Sequence, residues 1–127
     1  KQQADAVTEQ AWVDLLGNYP NGIFSMVGHS HENRVKWVSA TSGHAFWEIM
    51  TSALADFPHQ IRIVEIFDQD NGYLMLRTTN VDFSAMGDPV ALEGRTLGTL
   101  DFVSGWGGKA GMGTAQDRNV ELWIQKP

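Results

Sequence analysis

Apolar residues recur along this chain in two rhythms, and each predicts its own kind of element. From 7 to 17, Val7, Ala11, Trp12, Leu15 and Leu16 stand three and four residues apart, with Thr8 placed to cap and Gly17 to stop. That spacing predicts one short amphipathic helix. "NYPNG" at 18 to 22 stacks turn formers, and "IFSMV" at 23 to 27 is an apolar run bounded by Gly22 and Gly28, the length of a buried strand. "RVKWVSA" and "AFWEIM" read as two further strands joined by a Thr-Ser-Gly turn at 41 to 43. "IRIVEIFDQDNGYLMLRTT" holds two β-rich runs around Asn71-Gly72, residues that tolerate the positive φ of a tight turn, and predicts a hairpin. Ile61, Ile63 and Phe67 on one face and Val64 and Ile66 on the other predict a sheet covered on both sides. Val90 to Val103 reads as a weak helix, because Gly94 and Gly98 each cost it about 1 kcal/mol relative to alanine. "SGWGGKAGMGT" reads as a loop and "RNVELWIQ" as a closing strand. The pattern is that of an α+β fold: a mixed, mostly antiparallel sheet with a few helices.

Composition bounds this picture. A length of 127 residues suits one domain, and the chain shows neither an internal repeat nor a dividing linker. Five tryptophans within a 43% hydrophobic composition exclude a disordered chain. A net charge of -6, with nine Lys and Arg scattered rather than clustered, argues against nucleic-acid binding. No apolar stretch approaches the roughly 20 residues that cross a bilayer, so a soluble chain is expected. The absence of cysteine leaves any metal to nitrogen and oxygen ligands and leaves the compartment undecided. "KQQADAVTEQ" has no apolar signal core and opens without methionine, which suggests a piece cut from a longer protein.

Candidate chemistry concentrates in "FSMVGHSHENR". His29 and His31 lie one residue apart at the end of the 23 to 27 strand, a spacing that lets two imidazoles turn toward one metal or toward two neighbouring metals. As a bare pattern it fits two solvated loop histidines equally well, and Gly28, which permits a sharp turn and close approach to an ion, favours ligation. A cupin-type site would need a carboxylate a few residues later, where Glu32 comes too soon and Val35 and Lys36 follow. His44, beside Gly43, and His59, after Pro58, read as exposed turn histidines. Glu48, in "FWEI", reads equally as a half-buried structural carboxylate and as one that could orient an imidazole or touch substrate. Gly105, Gly107 and Ala110 have G-x-G-x-x-A spacing, yet no strand leads in and no acidic residue closes a βαβ unit, so a surface loop is the better reading. Lys109 is followed by alanine, which excludes a P-loop, and there is no G-x-S-x-G elbow.

With Gly28-His29-Ser30-His31 read after a buried strand, the chain resembles the calcineurin-like metallophosphoesterases, whose last metal-binding motif is Gly-His-x-His. "YPNGIFSMVGHSHENRV", "FWEI", "DFPHQIRIVEI", "DNGYLMLRTTNVD" and "GTAQDRNVEL" follow in the order of the C-terminal third of a bacterial subgroup of that superfamily, strongest over 19 to 83 and again at 114 to 122. Met50, Leu54 and His59 depart from its pattern. The resemblance implies a hydrolase of phosphate mono- or diesters built as a four-layer αββα sandwich, with this segment contributing mostly to one sheet. It implies two divalent ions, manganese, zinc or iron, about 3.5 to 4 Å apart, which activate water for in-line attack on phosphorus. His29 would serve one ion and His31 the other.

The family's upstream motifs, Asp-x-His, Gly-Asp-x-x-Asp, Gly-Asn-His and a further histidine, have no counterpart here, and no histidine precedes His29. Two such ions need six or more protein ligands, so residues 1 to 127 are expected to be a single domain or fragment, the C-terminal portion of a larger enzyme and inactive alone. Its partners are then the missing N-terminal part of the same protein and a phosphoester. An apolar face left bare would favour a homodimer. Two other readings stay open: a non-catalytic binding or oligomerisation module derived from that fold, and a small metalloenzyme whose site is completed across a symmetric interface by Glu32 or Glu48.

Overall fold

The computed structural model describes residues 6 to 105 and 111 to 127. The fold is α+β, with two three-stranded sheets, two α-helices and one short 3-10 turn, Ala115–Asp117. Helix α1, Glu9–Leu16, starts where the Thr8 hydroxyl accepts the Ala11 amide and ends at Gly17. Strands β1 (Phe24–Val27), β2 (Arg34–Ser39) and β3 (Ala45–Met50) form the first sheet in the order β1-β3-β2. β1 runs parallel to β3 and β2 antiparallel to it. Strands β4 (Gln60–Asp68), β5 (Tyr73–Asp82) and β6 (Val120–Gln125) form an antiparallel second sheet in that order.

The sheets meet through Ile49 of the first and Leu76 and Leu122 of the second, a cluster that also gathers Phe24, Val35, Trp47, Val64 and Val120. These residues alternate along their strands, as a half-buried sheet requires. The Trp47 indole N–H crosses between the sheets to the Trp123 carbonyl at 3.1 Å. On the other face of the first sheet, Val13 and Leu16 of α1 pack with Val38, Ala40 and Phe46. Gly17 lets α1 lie against the turn after β2, since a Cβ there would overlap that of Ala40. The segment expected to feed mostly one sheet is thus divided between two, because the hairpin β4-β5 has its register with β6 rather than with β3.

Two further expectations change. Among the described residues the hairpin's second face is not covered: Ile61, Ile63, Tyr73 and Trp123 are exposed on it. Positive φ in its turn falls on Asp70 and Gly72 rather than on Asn71 and Gly72. The Asp68 carboxylate accepts the Asp70 amide and the Asn71 side chain accepts the Tyr73 amide, local bonds that hold the four-residue loop.

Helix α2, Pro89–Ser104, is longer than its glycines suggest because both ends are capped. The Asp88 side chain accepts the Val90 and Ala91 amides, Pro89 occupies the first turn, and Gly105 closes the helix at φ 76°. It buries none of its residues. Of the loop expected at 104 to 114, residues 106 to 110, and with them most of the G-x-G-x-x-A stretch, lie outside the described residues. No helix among the described residues is long and apolar enough to cross a membrane.

Candidate functional site

The register of the first sheet places the histidines. Val27, the last residue of β1, and Arg34, the first of β2, both stand opposite Met50 at the end of β3. Residues 28 to 33 therefore cross over the C-terminal end of the central strand. The Ser30 hydroxyl donates to the Met50 sulfur at 2.8 Å, and the Thr51 amide donates to Val27 O at 3.3 Å, which ties the crossing to the strand beneath.

Gly28, His29, Ser30 and His31 are all exposed. The backbone strain falls on the histidines rather than on the glycine expected to absorb it: φ is 79° at His29 and 56° at His31. Left-handed backbone costs a non-glycine residue roughly 1–3 kcal/mol, and such residues cluster at ligand-binding sites. A Cβ on Gly28 would meet nothing within 4 Å.

The loop is anchored through Asn33, which is buried at 2% exposure. Its side-chain oxygen accepts the Ser52 amide at 3.1 Å and Arg62 Nη2 at 3.1 Å, and its amide nitrogen donates to Gln60 Oε1 at 2.9 Å. Arg62 is itself buried and donates to the Asp117 carbonyl at 2.6 Å and to the Arg118 carbonyl at 3.3 Å. Burial holds its guanidinium below the usual range, with Asp117 opposing. The Asp117 carboxylate accepts the Val35 amide at 2.9 Å and caps the 3-10 turn through Thr114. A buried cation held by carbonyls and an amide thus fixes Asn33, two residues beyond His31, so the loop is anchored to both sheets.

His31 has a carboxylate beside it, and the carboxylate is Asp56, whose Oδ2 meets His31 Nδ1. Glu48, singled out in the sequence, lies buried on the outer face of β3 and pairs with Lys36 at 3.3 Å and Arg34 at 3.7 Å. Lys36 is held above its usual range, first by its bond to Glu9, against burial, and further by Glu48. Glu32 pairs with Arg34 at 3.5 Å, and its Oε1 lies 3.3 Å from the Ser30 hydroxyl oxygen, an alternative acceptor to the Met50 sulfur.

The two remaining histidines are not exposed turn residues. His44 is half-buried, with Nε2 2.8 Å from the Gly22 carbonyl and its ring stacked on Phe46. His59 is 3% exposed because it closes a turn on itself: its Nδ1 bonds Leu54 O at 2.8 Å and its backbone N–H donates to Asp56 O at 2.7 Å. α2 packs Gly98 on its ring, where a Cβ would overlap Nε2 and Cε1.

Two exposed imidazoles are suited to divalent ions as neutral nitrogen ligands. Among the described residues, no group of three or more His, Asp or Glu side chains converges to hold a metal ion. Beside the loop, Phe57, Pro58, Gln60, Asp82, Arg95, Thr99 and Arg118 help line an open pocket of about 350 Å³. No family model matches the chain, and no curated protein matches it.

Proposed function

We propose that this chain is the C-terminal part of a metal-dependent phosphoesterase of the calcineurin-like kind and lends it His29 and His31. The observation that carries the reading is the loop itself: two exposed, left-handed histidines cross the end of the central strand of a mixed sheet. Left-handed residues of this kind gather at ligand-binding sites, and here two of them share one exposed loop. In this reading His29 serves one ion and His31 the other. When bound, two divalent ions supply charge neutralisation and water activation for in-line displacement at phosphorus. The protein's own part is to anchor the end of the loop through Asn33 and Arg62 and to hold the His31 ring through Asp56. The remaining ligands, a bridging carboxylate among them, come from an upstream segment of the same polypeptide, which completes a four-layer αββα sandwich.

Joined to that segment, the protein is expected to hydrolyse an aryl phosphate or phosphodiester with added manganese or zinc, and His29→Ala to abolish turnover. Undiminished turnover in that variant would defeat the assignment.

The apolar surface favours a second reading, a binding or oligomerisation module. Val90, Leu92, Leu97, Leu100 and Val103 are exposed on α2, and Ile61, Ile63 and Trp123 on the second sheet. A stable dimer by light scattering, together with no metal bound at the histidines, would favour the module over the phosphoesterase.

A further inference from the structure

Asp56 and His31 are 25 residues apart in sequence, yet their side chains bond. Both are about half exposed, 49% for the imidazole and 48% for the carboxylate, and exposed pairs of this kind contribute little to stability. The surroundings show more preparation than such a pair needs. The turn from Leu54 to His59 is closed by the buried His59, which bonds the Leu54 carbonyl with its ring and the Asp56 carbonyl with its amide. Gly111 wedges this turn against the histidine loop: a Cβ there would lie 2.7 Å from Phe57 O and 3.3 Å from His31 O. The Asp56 backbone is thus set before any ligand arrives.

We infer that Asp56 is the positioning residue of the candidate metal centre: its carboxylate accepts the Nδ1 proton of His31, fixes the tautomer and ring orientation, and leaves the Nε2 lone pair as the ligating atom. A carboxylate behind a ligating imidazole also raises its basicity, and losing one costs about 10- to 100-fold in metal affinity. The inference rests on the metal-ligand reading of His31, and it adds a residue that the motif itself does not contain. It also gives the buried His59 a purpose, because that ring shapes the turn which carries Asp56.

The test uses the polypeptide that joins this chain to the proposed upstream segment, with zinc as the probe, in two readouts; a wild type that binds no zinc overturns the inference together with the metal reading. Long-range proton–nitrogen NMR of the metal-free polypeptide, well above the ordinary imidazole titration range, reports the His31 tautomer. The expected result is the Nδ1–H form in wild type, its loss in Asp56→Ala, and its retention in Asp56→Asn, whose amide oxygen still accepts. Zinc titration should show about 10-fold weaker binding in Asp56→Ala, with most of the loss recovered in Asp56→Asn. A wild-type His31 in the Nε2–H form, or equal zinc affinity in wild type and Asp56→Ala, overturns the inference. His31→Ala separates the two levels. If deleting the imidazole leaves zinc binding unchanged, the metal reading fails, and Asp56 positions no ligand. If it abolishes binding while Asp56→Ala does not weaken it, the metal reading stands and the inference alone falls.

Discussion

Asp117 shows how one side chain carries both the fold and the site. Burial pushes its carboxyl up, but bonds from the Thr114 hydroxyl and the Val35 and Thr114 amides, together with the Arg62 charge, outweigh burial and hold it below the usual range. A group depressed in the folded state contributes fully above its unfolded value, about 3.9, and loses that contribution as pH falls through the lower folded value. Asp117→Asn should therefore be less stable than wild type near neutral pH, by about 1 kcal/mol. The gap should close as pH falls below the carboxylate range, with chemical denaturation at the two pH extremes as the check; a gap that stays constant would contradict this account. Such a role was not legible in the sequence. Asp117 lies 82 residues from the Val35 amide it accepts, and nothing in "TAQDRN" indicates which strand it will meet. Asp56 escaped sequence reading for the same reason, whereas His29 and His31 were visible because their chemistry and spacing are local.

At the scale of elements, local signals served well where one turn or one cap decides the outcome. α1 lies between Thr8 and Gly17, and β3 spans "AFWEIM" as its apolar run implies. α2 is stronger than its two glycines suggest because Asp88, Pro89 and Gly105 end it properly, and those residues stood outside the 90 to 103 window. One of the glycines has a tertiary use. Gly98 admits the ring of His59, and Phe57 stacks on Phe102 with ring centroids 4.3 Å apart. α2 has no buried residue of its own, so its position depends on these contacts and on Arg95, which donates to the Phe83 carbonyl and lies over the Phe83 ring. Gly98→Ala raises helix propensity by about 1 kcal/mol yet should detach α2 from the Leu54–His59 turn. The expected readout is retained helix content by circular dichroism together with faster amide exchange at His59; unchanged exchange would show that the contact does not hold the helix. The burial of His59 could not be read from "FPHQ", because the turn that hides it is closed by its own ring and covered by a helix 39 residues further on.

The whole molecule is a helix against one sheet and that sheet against another, with the second sheet's outer face and α2 left apolar and uncovered among the described residues. The α+β class followed from alternating and helical rhythms. The division into two sheets did not, because a strand's alternation gives the face it buries and not the neighbour it pairs with. The proposed function stands or falls on metal held by His29 and His31. It is tested by the metal content, from elemental analysis, of a polypeptide that joins this chain to the proposed upstream segment, as wild type and as the His29→Ala/His31→Ala double variant. The account predicts about two divalent ions per wild-type polypeptide and a marked loss in the double variant. Equal metal content in the two proteins, or none in the wild type after manganese or zinc loading, would contradict it.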